Sequence, residues 1–496
     1  MNRFLAALAL LFLALAPAQA ADIKSIDLGK KAEVWFMEDH TVPIVAFNIS
    51  LPAGSAYDPP GKAGLSAFTA AMIDEGAGKL DSRAFHEALA DRAIRFSADA
   101  ERDYLVISIE TLSENAPQAL HLLQLALTHP RFDAEAVTRV RTQIIQSLEQ
   151  SQAEPPQVAA RAFMRAFFGG HAYAHPINGE IGTIAHINAA DMRAFARAHW
   201  VKDGIKIAVT GDITPAQATK LLAATFTPVS GAQPPALPQI GRLGAPGMHV
   251  IAMPVPQPTA VFGLPGIMRA DPDFIPGYVA NYILGGGGFS SRLTDEVRVK
   301  RGLTYGISTS LNSYRKASVW VGEVATRADA IRQTMQVVRT TMADYAANGP
   351  TQVELDDAKT YLTGSFPLAF ASDGGAAAQL GVFQRQNLDM GYVAKRNALI
   401  QAVTLDQVKR VAKRLFDPAR LTVVIAGTPM EGRVRERPKP PVRPALPRTN
   451  PAAPAPLRPS VLGTNPEPTH TSQPAAKPAN KPVSGVVTAP KQVKKP

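Results

Sequence analysis

The sequence contains no cysteine. Disulfide staples, thiolate nucleophiles and thiolate metal ligands are therefore excluded, and stability has to come from buried apolar area. Beyond the first twenty residues no stretch approaches the roughly eighteen uninterrupted apolar residues of a membrane-spanning helix. Acidic residues are scarce only at the C-terminal end. From Glu431 onward, twelve Lys/Arg stand against three Glu and carry about +9 of the net +11. The rest of the chain is close to neutral, which argues against a nucleic-acid-binding surface.

What is present starts with a leader. Arg3 supplies a positive start, Phe4 to Ala16 form a short apolar core, and Ala18-Gln19-Ala20 matches a small-x-small cleavage pattern. That core is too short for roughly 30 Å of hydrocarbon and Pro17 follows it, so residues 1–20 are expected to be a cleaved signal peptide. The mature chain is then expected in the periplasm, without stable membrane insertion. Residues 431–496 hold 16 of the 42 prolines and few large apolar residues, in runs such as Arg437-Pro438-Lys439-Pro440-Pro441. They are expected to be a disordered or polyproline-II-like tail. It is either a solubilising extension or a loose attachment to anionic envelope polymers or a partner.

Between leader and tail the chain repeats itself at a period near 216 residues. Thr183–Thr210 aligns without gaps on Leu399–Ala426, pairing Ile184 with Ile400, Met192 with Val408 and Trp200 with Phe416. In both copies an amphipathic helix, opened by Asn188 or Thr404 as N-cap, leads into a strand of alternating apolar residues. Pro60-Gly61 before one apolar helix finds its counterpart in Pro276-Gly277, expected before another. The expected division is a first half at 21–230, a Gly/Pro-rich linker at 231–247 and a second half at 248–430. The fold class is α+β: two homologous halves with helices packed on antiparallel-rich sheets, facing each other like a clam.

Two sets of motifs then carry a family resemblance over roughly residues 30–430. Leu284-Gly285-Gly286-Gly287-Gly288-Phe289-Ser290-Ser291-Arg292-Leu293 precedes Glu296-Val297-Arg298-Val299-Lys300-Arg301-Gly302-Leu303-Thr304-Tyr305. In the first half, His171-Ala172-Tyr173-Ala174-His175-Pro176-Ile177-Asn178-Gly179 is followed by Val209-Thr210-Gly211-Asp212. This order resembles the pitrilysin/insulysin family of inverted zinc peptidases, which includes the mitochondrial processing peptidase subunits. The resemblance implies an H-x-x-E-H motif, its two His and a distal Glu holding zinc and its own Glu acting as base.

Here the chain departs from the family. Gly64-Leu65-Ser66-Ala67-Phe68-Thr69-Ala70-Ala71-Met72 stands at that place, with Ala67 and Ala71 for the histidines and Ala70 for the glutamate. Gln146 and Ser147 occupy the region of the distal ligand. A catalytic zinc needs three protein donors and a water, and methyl groups have no lone pairs. Asp74 and Glu75 lie in the wrong register to substitute. His86-Glu87 begins like H-E-x-x-H but ends in Ala90, and His171 with His175 sit in a loop. No metal site and no catalytic residue are expected in this chain.

The resemblance carries a substrate-contacting Arg and Tyr onto Arg298 and Tyr305, where a guanidinium and a phenol could donate to a peptide carbonyl. From residue types alone, Arg298 could equally pair with Asp295 or Glu296, and Tyr305 could be core packing; Arg301 is the nearest competitor for the Arg role. Gly285–Gly288 lacks the Lys-Ser/Thr of a phosphate loop and reads as a flexible turn, in which Gly286 and Gly287 could touch substrate. The expected function is a non-catalytic, substrate-binding subunit of a heteromeric periplasmic zinc peptidase. A homologous partner would supply the zinc, and this chain would hold no cofactor of its own. The alternative is a peptidase-derived peptide-binding or scaffold protein with no hydrolytic complex.

Overall fold

Strands with apolar residues on both faces build two large sheets, and Gly76–Ala77 with Leu80–Asp81 forms a separate two-stranded one; the two faces of each large sheet serve different cores. The structure is a computed structural model that describes residues 22–29 and 32–430; the expected signal peptide and tail lie outside the described residues. In chain order the strands are β1 (Ile23–Ile26), β2 (Ala32–Glu38), β3 (Ile44–Leu51), β4 (Gly76–Ala77), β5 (Leu80–Asp81), β6 (Arg95–Ala100), β7 (Leu105–Leu112) and β8 (Ile205–Gly211). The second half adds β9 (Gly247–Ile251), β10 (Thr259–Pro265), β11 (Thr304–Ser313), β12 (Ser318–Thr326) and β13 (Thr422–Ala426). The first large sheet runs β1-β2-β8-β3-β7-β6 and the second β11-β12-β10-β13-β9. All neighbours in both are antiparallel except β2 with β8 and β13 with β9.

Along β2, Val34 and Phe36 enter the core beneath the first half's own helices, whereas Trp35 and Met37 point to the opposite face. What covers that opposite face comes from the other half: Ala376, Leu380 and Phe383 of helix Asp373–Arg385. The second sheet is treated reciprocally. Phe262 and Trp320 face its own helices, while Val261, Val319 and Val424 pack on Phe163, Phe167 and Phe168 of helix Pro155–Phe168. Each half therefore lends the other a helix, and the two lent helices lie about one repeat apart in sequence. Glycine permits both close approaches. A Cβ at Gly263 would meet the Phe163 ring at 2.6 Å, and one at Gly381 would meet Asn48 Oδ1 at 2.1 Å.

The repeated closing segments are both present. Asn188 and Thr404 cap helices Ala189–His199 and Leu405–Leu415 with reciprocal side-chain bonds, and each helix leads into β8 or β13. Two local expectations are corrected. Pro276 and Gly277 lie inside helix Phe274–Asn281 rather than before it; Pro276 is in the first turn, where no amide donor is needed. The glycine run is also no flexible turn. Tyr282–Gly286 is wound as a wide helical turn, and added Cβ atoms at Gly285, Gly286 and Gly287 would meet Thr309, Asn281 and Tyr282 at 2.5–2.8 Å.

Candidate functional site

The helix that stands where the family's zinc motif belongs is intact as a scaffold. Gly64 starts it with φ +91, and its Cα packs directly on Gly179, where a Cβ on either residue would collide with backbone. The buried Asp58 carboxylate accepts the amides of Gly64 and Ser66, each at 2.7 Å, and so caps helix Leu65–Ala70 from outside it. Burial pushes this carboxyl up to about 7, with the two amides pulling the other way. Leu65, Phe68 and Met72 drive the helix into the core, leaving Ala70 buried, Ala67 half-buried and Ala71 exposed. Its neighbour is helix Ala134–Gln152, whose Arg141 lies over the Phe68 ring at 5.7 Å. On that helix Gln146 and Ser147 are exposed.

Three methyl groups thus occupy a well-made frame, and the residues do not fit a zinc ion. No hydrolytic step can be routed through this helix.

The structure does bring His86 to the adjacent pair Asp74 and Glu75. Ligand atoms of Asp74, Glu75 and His86 lie within 4.8 Å of one another. Their bonds account for the arrangement: Glu75 pairs with Arg139 and accepts from Ser82, while His86 Nδ1 donates to the Ser82 carbonyl at 2.8 Å and Nε2 faces Asp74 at 3.5 Å. A cation there would have to displace Arg139, so the cluster reads as a hydrogen-bond and ion-pair network. His171 has both ring nitrogens engaged, by the Tyr173 amide and the Pro238 carbonyl. His175 Nδ1 is buried without a partner, and burial holds its ring below the ordinary imidazole value.

In the second half, helix Thr294–Val299 ends before Gly302 at φ +59, and β11 begins at Thr304. Arg298 does not pair with Asp295 or Glu296. Lys300 takes Asp295, and both Lys300 and Arg301 take Glu296. Arg298 instead lies over the Phe289 ring at 4.4 Å. Tyr305 is not core packing: it is 87% exposed, and Val299 and Phe289 are exposed as well. Among the described residues neither Arg298 nor Tyr305 has a side-chain hydrogen bond or ion pair. Gly286 and Gly287 touch their own helix and β11.

Sequence reading missed two features. β6 is an open edge strand, paired on one side with β7, with every second residue exposed, and it contacts helix Leu65–Ala70. Arg95-Phe96-Ser97-Ala98-Asp99-Ala100 carries no motif, so only its weak alternation could have flagged it. The second is a cavity of about 520 Å³ beyond the end of β6.

Comparison with known proteins is concordant. Residues 33–180 match the family described as Insulinase (Peptidase family M16), and residues 186–362 match the family described as Peptidase M16 inactive domain. A Helicobacter pylori (strain ATCC 700392 / 26695) protein named "Non-peptidase homolog YmxG" is 26% identical over 341 residues, spanning 68% of this chain and 78% of that one. The Bacillus subtilis (strain 168) protein named "Uncharacterized zinc protease YmxG" is 24% identical over 383 residues, spanning 76% and 91%. A crystal structure of a peptidase M16 inactive domain from Pseudomonas fluorescens superimposes with a TM-score of 0.78 at 30% identity, covering 82% of this chain and 98% of that one.

Proposed function

Because this chain belongs to peptidase family M16, the insulinase family, yet has alanine at each position of the zinc motif, we propose that it is the non-hydrolytic, substrate-binding subunit of a two-chain periplasmic zinc peptidase. The chain is a peptidase-derived protein in a non-catalytic role. Its homologous partner supplies the zinc and the general base. This chain supplies Arg298 and Tyr305 to the peptide, and residues 1–20 export it.

The observation that carries this reading is the chemical freedom of the Arg298–Tyr305 pair. A guanidinium and a phenol on either side of the Gly302 turn, neither in a side-chain hydrogen bond or ion pair among the described residues, are available to a carbonyl brought from outside the chain. The open edge of β6 adds a docking rail, since an unpaired strand edge accepts an extended peptide through its main chain.

The test is reconstitution with a homologue bearing an intact H-x-x-E-H. The isolated chain should contain no zinc, and the complex should cleave peptide in a zinc-dependent manner. Arg298→Ala and Tyr305→Phe should each lower kcat/KM by about tenfold to a hundredfold. Full activity in both variants would remove the site assignment. A native assembly with no zinc-bearing chain would leave the scaffold reading in its place.

A further inference from the structure

Beyond the last residue of β6, the cavity of about 520 Å³ is walled by Ala100, Arg102, Ser147, Gln157, Arg161 and His175. It lies between the end of helix Ala134–Gln152 and the lent helix Pro155–Phe168. Its charge is unbalanced. Arg161 donates to Ser151 Oγ at 3.0 Å and to the Ser151 carbonyl at 3.3 Å, and Arg102 donates to the carbonyls of Tyr173 and His175 at 2.6 and 3.2 Å. These acceptors are neutral, and among the described residues neither guanidinium has an ion-pair partner. Glu154 is the one carboxylate in the lining. His175 belongs to the same wall, with its Nδ1 buried away from the opening. Two guanidiniums against one carboxylate leave the lining net positive, which favours an anionic group there.

The position of the cavity says what the acceptor is attached to. A peptide laid along β6 runs past Ala100 into it. Run parallel to β6, the peptide delivers its C-terminal carboxylate there. Run antiparallel, it delivers upstream residues, and an N-terminal ammonium would meet two guanidiniums, so only an acidic side chain would be welcome.

We propose that this cavity is a carboxylate-recognition subsite, seating the C-terminal carboxylate or an acidic side chain of an extended peptide paired with β6, with Arg161 and Arg102 as its cationic groups. The proposal rests on the reading of β6 as a docking edge.

Fluorescence anisotropy on the mature chain tests both, separately. The probes are N-terminally labelled octapeptides of alternating Val and Thr, made as the free acid, as the C-terminal amide, and as the amide with one internal Glu. The free acid or the Glu peptide should bind about tenfold more tightly than the plain amide, the worth of one charge-assisted hydrogen bond. Whichever of the two gains identifies the source of the carboxylate. Arg161→Gln should bring that ratio toward one. Equal affinity for all three peptides would overturn the subsite, whatever the variants do. Methylating alternate backbone amides of the best peptide should abolish binding; if it does not, the edge pairing fails while the subsite stands or falls on the first comparison.

Discussion

Tyr173 donates its hydroxyl to Asp103 at 2.5 Å, and the other oxygen of that carboxylate accepts the backbone amide of Arg315 at 2.8 Å. One buried carboxylate thereby ties two segments of the first half to the β11–β12 turn of the second. Arg315 closes the clamp from its side chain, donating to Tyr57 Oη at 2.7 Å. Burial raises the Asp103 carboxyl, and the donors of Tyr173 and Arg315 oppose that rise.

Removing the carboxylate strands two donors at once. Asp103→Ala should cost about 2–4 kcal/mol in urea unfolding, and Tyr173→Phe about 1–2 kcal/mol. The double variant should cost less than the two together, because both substitutions delete the same bond. Additive losses would show that the hydroxyl and carboxylate are not coupled.

The lent helices predict that neither half folds alone. Residues 22–230 without the rest would expose Trp35 and Met37 on one sheet face and Phe163 and Phe167 on an unattached helix. That fragment should aggregate or associate, whereas coexpression with residues 231–430 should give a soluble one-to-one complex by gel filtration. A monomeric, cooperatively melting first half would refute the interlocked description.

Much of this fold was legible beforehand because the duplication was. Asn188 and Thr404 announced the two closing helices, and the alternation of Ile205, Ile207 and Val209 announced β8. The exchange of helices was not legible. Trp35 and Val34 are both apolar, and nothing in the alternation says which half covers which face. The glycine run misled for a related reason: Gly285 to Gly287 are required by Thr309, Asn281 and Tyr282, partners that only the folded chain brings near. The alanines at 67, 70 and 71 were readable because absence of a donor is a property of residue type. His175 was set aside as a loop residue, since burial of one ring nitrogen leaves no trace in sequence.

An intact frame around missing ligands is itself testable. Ala67 is half-buried and Ala71 exposed, so histidines at both positions enter without opening the core. Ala67→His with Ala71→His and Ser147→Glu should bind zinc stoichiometrically by elemental analysis, since two imidazoles and a carboxylate complete a three-donor set. The same chain with Ser147 retained should bind more weakly. No zinc in the triple variant would mean that the two helices have drifted from the spacing a metal requires.

A separable pH dependence should come from His199. Its ring is 5% exposed, lies 4.4 Å from the Phe195 ring and 4.8 Å from that of Tyr57, and leaves Nδ1 without a partner. Burial lowers its pKa to about 4 from an ordinary 6.5. Between those values the unfolded chain takes up a proton that the folded chain refuses, so stability present above pH 6.5 is lost as pH falls toward 4. Asp58 slopes the other way: its carboxyl is raised to about 7, so its contribution is greatest below 3.8 and is lost as pH rises through 7. Comparing His199→Phe with the parent cancels the Asp58 effect, because both proteins carry it. The variant should gain on the parent by about 3 kcal/mol between pH 6.5 and 4, the worth of two to three pKa units, in urea unfolding. A difference that stays constant across that window would mean that the buried ring titrates normally.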